Sequence, residues 1–346
     1  MYRNTYALIK TNNIKNNVEK IINTYNDYKY YIGVVKADSY GHNGSEVVKA
    51  IIDGGCNYLA VSSLDEALEI RKDFDIPILC LGIIDTKYIN VCVENRIDIT
   101  VASIDYFNEI KDKNINIHIK IDTGMNRLGI KEKYDFDSII NSNHKCYIKG
   151  IYTHIYEASS KENTLKQIDK FKDITKDIDL NNIDMIHIAQ SDTLINYSKI
   201  DFCNGCRLGI IMYGLTLNNL DLLDTISLCS EIIDIKKVKK GETISYNGLY
   251  TADNDELIGI VSIGYADGVN RHLTGAYVYA NNKKCQILGS ICMDMLMIRI
   301  DDSIKIHDKV YIYKDINHIN YLSNYLDTIP YELICNISKR VPRIYE

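Results

Sequence analysis

The chain predicts an α/β fold, a closed (β/α)8 TIM barrel followed by a mostly β C-terminal domain, and three observations carry the prediction. Short apolar, β-branched runs alternate with amphipathic stretches between about residues 30 and 214. Eight such units can be counted, and after Leu215 the rhythm changes to strand-like segments divided by turn signals. Eight consecutive strand–helix units are what barrel closure requires. An open doubly wound sheet would place a dinucleotide-type glycine fingerprint after the first strand, and Gly41-His42-Asn43-Gly44 lacks that spacing. The strands are expected to end near Lys36, Ser62, Gly82, Ala102, Asp122, His154, Gln190 and Leu208, with helices over 44–52, 64–71, 88–94 and 164–178. Beyond the barrel, strands are expected over 232–238, 242–246, 257–263, 276–280, 285–288, 296–300 and 309–313, with little helical pattern. Asp253-Asn254-Asp255 and Asn281-Asn282 read there as hairpin turns. Domains are accordingly placed at 11–225 for the barrel and at 226–346, joined by an N-terminal strand within 1–10, for the β domain.

A chain of 346 residues has ample apolar content for a large core. The net charge of -6 is spread without acidic or basic blocks, which recommends neither a nucleic-acid nor a membrane-surface partner and favours small-molecule chemistry. No charged-then-apolar leader opens the sequence and no apolar run is long enough to cross a bilayer, so a cytoplasmic location is expected. Ten cysteines scattered through apolar segments read as reduced, buried thiols. The one CxxC, Cys203-Asn204-Gly205-Cys206, lacks the second pair that zinc needs and the helix start that a redox motif needs, so no metal is expected.

The chemistry centres on Lys36, which closes the apolar run Tyr31-Ile32-Gly33-Val34-Val35. A partly desolvated amine has a lowered pKa and is suited to a Schiff base with an aldehyde. An isolated lysine at a strand end more often snorkels to solvent, so the residues downstream decide between the readings. Barrels of this kind gather their reactive groups at the carboxyl ends of the strands. The strand map puts Arg127, His154, Ser191 and Arg207 with Gly209-Ile210 there. Arginine's planar fork suits a carboxylate, although loop arginines commonly form surface ion pairs; Ser191 by itself would more often cap a helix. Loops after the seventh and eighth strands are frequent phosphate sites, which fits Ser191 and Gly209-Ile210.

Taken in order, these segments resemble the alanine racemase family of pyridoxal-phosphate enzymes of fold type III, over nearly the whole chain. Val35 to His42 resembles its cofactor-lysine segment, Asp122 to Gly129 its carboxylate-binding loop, and Arg207 to Gly214 its pyridine and phosphate segment. Ser245 to Ala252, Ile263 to Gly268, Gly289 to Asp294, Pro330-Tyr331-Glu332 and Arg340-Val341-Pro342-Arg343 follow in the family's order. The resemblance implies pyridoxal 5'-phosphate on Lys36. It implies a second base, Tyr246, reaching in from the partner subunit of a homodimer, with its phenolate favoured by positive charge on Arg207 or His154. It further implies a phosphate set of Tyr40, Ser191, Gly209, Ile210 and Tyr331, and Arg207 at the pyridine nitrogen. Arg127 would hold the substrate carboxylate, with Tyr265 and Met293 lining the substrate end from the partner. Lys120, Cys292 and Asp294 would be supporting residues, Lys120 matching a position that some relatives carbamylate.

The implied activity is interconversion of L- and D-alanine for peptidoglycan. Two departures from the family pattern, Gln190-Ser191-Asp192 and Tyr156-Glu157 after His154, leave room for serine or a broader range of amino acids. A basic-amino-acid decarboxylase of the same fold type would carry a catalytic cysteine and a different phosphate segment. A non-enzymatic pyridoxal-phosphate carrier would lack residues 226–346.

Overall fold

The computed structural model describes residues 2–215 and 220–346; Met1 and residues 216–219, which the domain assignment spans, lie outside the described residues. After strand β1 (Tyr6–Ile9) and the helix Thr11–Thr24, eight parallel strands close a barrel: β2 (Tyr30–Val34), β3 (Tyr58–Val61), β4 (Ile78–Cys80), β5 (Ile97–Val101), β6 (Asn116–Lys120), β7 (Tyr147–Tyr152), β8 (Met185–Gln190) and β9 (Gly205–Leu208). Their β-branched runs are buried on both faces because helices wrap the outside, as a parallel sheet demands. Helix Leu64–Arg71 begins at a capping box, Ser63 with Glu66, and Lys161–Thr175 at the Ser160 side chain. Each cap stabilises its helix by about 1 kcal/mol. Thr11–Thr24 buries Ile14, Asn17, Val18 and Ile21, one stripe at helical spacing.

Most expected strand ends fall within two residues of the observed ones. The strand that leads to Lys36 ends at Val34, and Lys36 itself opens a new turn.

Two register shifts matter for the interior. Between β6 and β7, Ile117 pairs with Ile148 but His118 with Gly150, so Lys149 is an extra residue that the bulge re-aims inward. Between β8 and β9, His187 pairs with Gly205 and Gln190 with Arg207, which frees carbonyls in the β8 segment.

Beyond the barrel run β10 (Ile226–Val238), β11 (Thr243–Ile244), β12 (Tyr250–Thr251), β13 (Glu256–Val261), β14 (Tyr277–Ala280), β15 (Lys283–Leu288), β16 (Leu296–Ile300), β17 (Lys309–Tyr313) and β18 (Arg343–Tyr345). The main sheet has the order β13-β16-β15-β14-β17-β10-β1-β18, with β13 also paired to β10. Asn281 and Asn282, at φ 47° and 61°, form the expected two-residue hairpin between β14 and β15. Asp253-Asn254-Asp255 does not: it links β12 of a two-stranded sheet to β13 of the large one, and Asp255 is held by Lys239 instead. The expected lack of helix also needs correction, because Ile316–Tyr325 and Pro330–Cys335 are helical. The first is rich in Asn and Tyr, and its buried stripe of His318, Ile319, Leu322 and Ser323 is half polar, which hides the period.

Candidate active site

Lys36 opens a turn in which Ala37, Asp38, Ser39 and Tyr40 all lie in the left-handed region, at φ 53°, 53°, 52° and 54°. Each such residue costs roughly 1–2 kcal/mol, so the surroundings must hold the turn. Glu66 accepts the Ala37 N–H at 2.6 Å, Arg343 donates to the Gly41 carbonyl at 3.0 and 3.2 Å, and Gly41 lies against the backbone of Ile334. The result is that Lys36 and Tyr40 both line a cavity of about 500 Å³ at the carboxyl end of the barrel. Burial, and then the nearby Arg127 guanidinium, lower the Lys36 pKa, as expected of a desolvated amine.

Lys120, Arg127, His154, Ser191, Arg207, Gly209, Ile210 and Tyr331 line the same cavity. Asp122 shapes the Arg127 loop by accepting the N–H groups of Gly124 and Asn126 at 2.9 and 3.1 Å. Gly129, at φ 123°, permits the loop's return, where a Cβ would lie 2.6 Å from the Asp122 nitrogen.

Arg207 is buried, and its guanidinium donates to the carbonyls of His187 at 2.6 Å, Thr153 at 2.8 Å and Ile188 at 3.1 Å, and to His187 Nδ1 at 2.8 Å. Two of those carbonyls belong to the bulged stretch of β8. Burial lowers the Arg207 pKa to about 10, which still leaves it charged at neutral pH. Lys120 is pushed down to about 8 by burial and by the Arg207 and Arg127 charges; its amine and the Arg207 guanidinium lie 5.3 and 5.4 Å from the Tyr152 ring centre. His154 cannot supply the positive charge suggested for it. Burial and four neighbouring cations, Arg207, Lys120, Arg127 and Lys36, hold it at about 3, and it is neutral at physiological pH.

The expected phosphate end is compact. The Ser191 hydroxyl accepts the Gly209 N–H at 3.1 Å, and a Cβ on Gly209 would come within 3.2 Å of the Tyr40 hydroxyl and 3.4 Å of that of Ser191. A side chain at 209 would narrow this cradle. Tyr331 packs against Tyr40 at 5.9 Å between ring centres. Short helical turns begin here, Ser191–Asn196 after β8 and Ile210–Tyr213 after β9. Lys36, Lys120, Arg127 and Arg207 are opposed among the lining residues by a single carboxylate, Asp192. A cationic cleft with neutral hydroxyl donors at one end and an amine of lowered pKa fits pyridoxal 5'-phosphate and an amino-acid carboxylate.

Tyr246, Tyr265 and Met293 do not join this cavity. They are exposed on the β domain, at 67%, 41% and 52% of their full accessibility. Their loops are tied together: Tyr265 N–H donates to the Cys292 carbonyl and Ala266 N–H to that of Met293, both at 3.0 Å. Cys292 Sγ lies 3.5 Å from Ser245 Oγ, next to Tyr246, and Asp294 pairs with Arg340, which also holds buried Asp267. Cys203 and Cys206 are buried thiols raised in pKa by burial, Cys203 to about 12, so neither resembles a reactive thiolate.

Sequence reasoning missed Tyr152, His118 and His187. Tyr152 lines the cavity, and His187 stacks on it at 4.5 Å. A signal was present: His118 alternates with Ile117 and Ile119, and His187 with Ile186 and Ile188, so period-two alternation turns each imidazole to the barrel interior.

Fold and site together define a two-domain barrel enzyme that works at the carboxyl mouth of its strands. The profile described as "Alanine racemase, N-terminal domain" matches residues 9–217, and "Alanine racemase, C-terminal domain" matches 225–345. Among curated relatives, alanine racemase 1 of Bacillus subtilis is 36% identical, covering 99% of this chain and 93% of its own length. The alanine racemase of Staphylococcus saprophyticus is 34% identical, covering 99% and 95%. Among solved structures, alanine racemase from E. faecalis superposes with a TM-score of 0.94 at 32% identity, covering 100% of this chain and 99% of that one. The enzyme from Bacillus anthracis, solved with bound L-Ala-P, does so at 0.92 and 32%, covering 100% and 96%. The chain belongs to the alanine racemase family, and it is an isomerase.

Proposed function

We propose that this protein is a pyridoxal 5'-phosphate-dependent racemase that interconverts L- and D-alanine in the cytosol, supplying D-alanine for peptidoglycan. The observation that carries the reading is the convergence of Lys36, Arg127, Arg207 and the Tyr40, Ser191 and Gly209 cradle on one cavity. Tyr40, Ser191, Gly209, Ile210 and Tyr331 would bind the phosphate, Arg207 would serve the ring nitrogen, and Arg127 would bind the substrate carboxylate. Positioned side chains contribute roughly 10² to 10⁴-fold, whereas enzymes reach at least about 10⁶-fold; the bound cofactor supplies the missing electron sink.

The chain's own groups move the proton. The Lys36 amine takes it from, or returns it to, one face of Cα, and Tyr246 of the partner subunit serves the other face. Guanidinium is a donor with no proton to spare, so Arg207 would leave the ring nitrogen of the bound cofactor unprotonated, which would favour prompt reprotonation over transamination. Residues 226–346 complete the partner's site, with Tyr265 and Met293 of the partner subunit lining its substrate end. Lys120, its pKa at about 8, carries enough free amine to add carbon dioxide, with release of a proton, and the resulting carbamate would steady Arg127. The polar departures Gln190 and Asp192, with Tyr156, line the cavity and favour serine as a second substrate.

Borohydride reduction of the yellow protein followed by peptide mapping is expected to place the label on Lys36, and L-alanine is expected to gain solvent deuterium at Cα. A protein that stays colourless with added pyridoxal phosphate and inverts no amino acid overturns the proposal.

A further inference from the structure

We propose that Asp98, near the amino end of β5 and at the opposite end of the barrel interior from Lys36, is a positioning residue for Arg207, acting through Tyr58, His118 and His187. The argument is one of hydrogen-bond polarity. A guanidinium only donates, so His187 Nδ1, 2.8 Å from Arg207, must accept. Burial holds both imidazoles below their usual pKa and hence neutral, so each carries one proton. The His187 proton therefore sits on Nε2 and is donated to His118 Nδ1 at 3.1 Å. His118 in turn carries its proton on Nε2, which faces the Tyr58 hydroxyl at 3.4 Å, and Tyr58 donates to Asp98. Every donor in the chain points from Arg207 toward one carboxylate. Asn116 and Lys149 donate to the same carboxylate, both at 2.8 Å, and fix it as an acceptor.

The barrel is built around this string. Such interiors are ordinarily filled by layers of branched apolar side chains, yet Tyr58, Asp98, His118 and His187 are all buried here. Gly150 leaves the space for His118, whose Nδ1 would lie 2.2 Å from a Cβ at that position. The β7 bulge turns Lys149 onto Asp98. A plain ion pair closing the barrel floor would need Asp98 and Lys149 but neither histidine. With the carboxylate as sole terminus, the opposite polarity is blocked, because it would set a His187 Nδ1–H against the Arg207 N–H.

That Arg207 faces the cofactor rests on the function proposed above; the polarity of the chain does not, and the test separates the two. In the full chain with ¹⁵N-labelled histidine, nuclear magnetic resonance is expected to report His118 and His187 as Nε2–H tautomers. Because the Arg207 donor fixes both tautomers from its own end, Asp98→Asn and the milder Tyr58→Phe are each expected to leave both Nε2–H and to shift the Nε2–H resonances of His118 and His187 as the chain loses its terminal acceptor. In the loaded enzyme the same variants are expected to lower kcat about tenfold, the effect of losing one hydrogen bond to a charged group, with KM within about twofold and more transamination by-product. Should Asp98→Asn fail to fold, Tyr58→Phe carries the test. Nδ1–H tautomers in the parent protein, unmoved His187 resonances in the folded variants, or moved resonances with kcat and by-product unchanged would each overturn the proposal.

Discussion

Lys120 shows how much a single buried charge shapes this barrel. Its amine titrates near 8 in the folded chain against 10.5 when free. Below pH 8 both states hold the proton and the folded state bears the full penalty of burial and of the Arg207 and Arg127 charges, on the order of 3 kcal/mol. Between pH 8 and 10.5 the unfolded chain retains a proton the folded chain has lost, so stability rises with pH, by at most about 1.4 kcal/mol per unit from this group. Over the same range the thiols raised by burial act in the opposite sense, so urea unfolding of the cofactor-free protein in buffer stripped of carbon dioxide is expected to show that rise as the difference between the parent and Lys120→Met. Lys120→Met is expected to stabilise the protein at pH 7 by about 2 kcal/mol, an advantage that shrinks as the pH climbs from 8 to 10.5. Lys36, lowered in the same direction, contributes with the same sign. At this scale the sequence was informative about cavity-facing residues, since strand ends and family motifs pointed to the same positions. It was wrong only about the charge of His154, because protonation depends on how many cations surround a side chain, and chain order does not give that number.

Among elements, the left-handed turn after Lys36 is the least expected, for Ala37-Asp38-Ser39-Tyr40 contains no glycine to announce it. The turn exists because distant segments impose it, Glu66 from the next unit and Arg343 from the end of the β domain. Gly41→Ala is expected to cost at least about 3 kcal/mol, since its Cβ would meet the Ile334 carbonyl 2.1 Å away at a φ of 77°. Pyridoxal phosphate retention on gel filtration should fall with it. Ala37→Gly should go the other way, by roughly 0.5–1 kcal/mol, because it relieves a left-handed alanine. Barrel strands were legible from their apolar period, and Leu64–Arg71 from its capping residues. The bulges at Lys149 and in β8 were not, since a bulge is a mismatch between two strands and neither strand alone records it.

For the molecule as a whole, the decisive fact is separation: Lys36 lines the barrel cavity while Tyr246 is exposed on the β domain. If each site takes its second base from another copy, Lys36→Ala and Tyr246→Phe proteins should both be inactive alone. Mixing them under conditions of subunit exchange should restore activity, as one heterodimeric site would then hold both groups. Exchange demonstrated by mass, without recovery, would count against a shared site. Among the described residues no helix is long and apolar enough to cross a membrane.

The pairing of β1 has a consequence for synthesis. Tyr6–Ile9 lies between β10, against residues 226–229, and β18, whose Arg343 pairs with Ala7. During synthesis β1 must therefore wait through the whole barrel for its first neighbour, and for its second until residues 343–345 emerge. Contacts of such long sequence separation form slowly, so the barrel is expected to fold first while β1 remains an open edge. The domain that carries Tyr246 would thus gain its full sheet only once Arg343–Tyr345 has been made and has paired with β1.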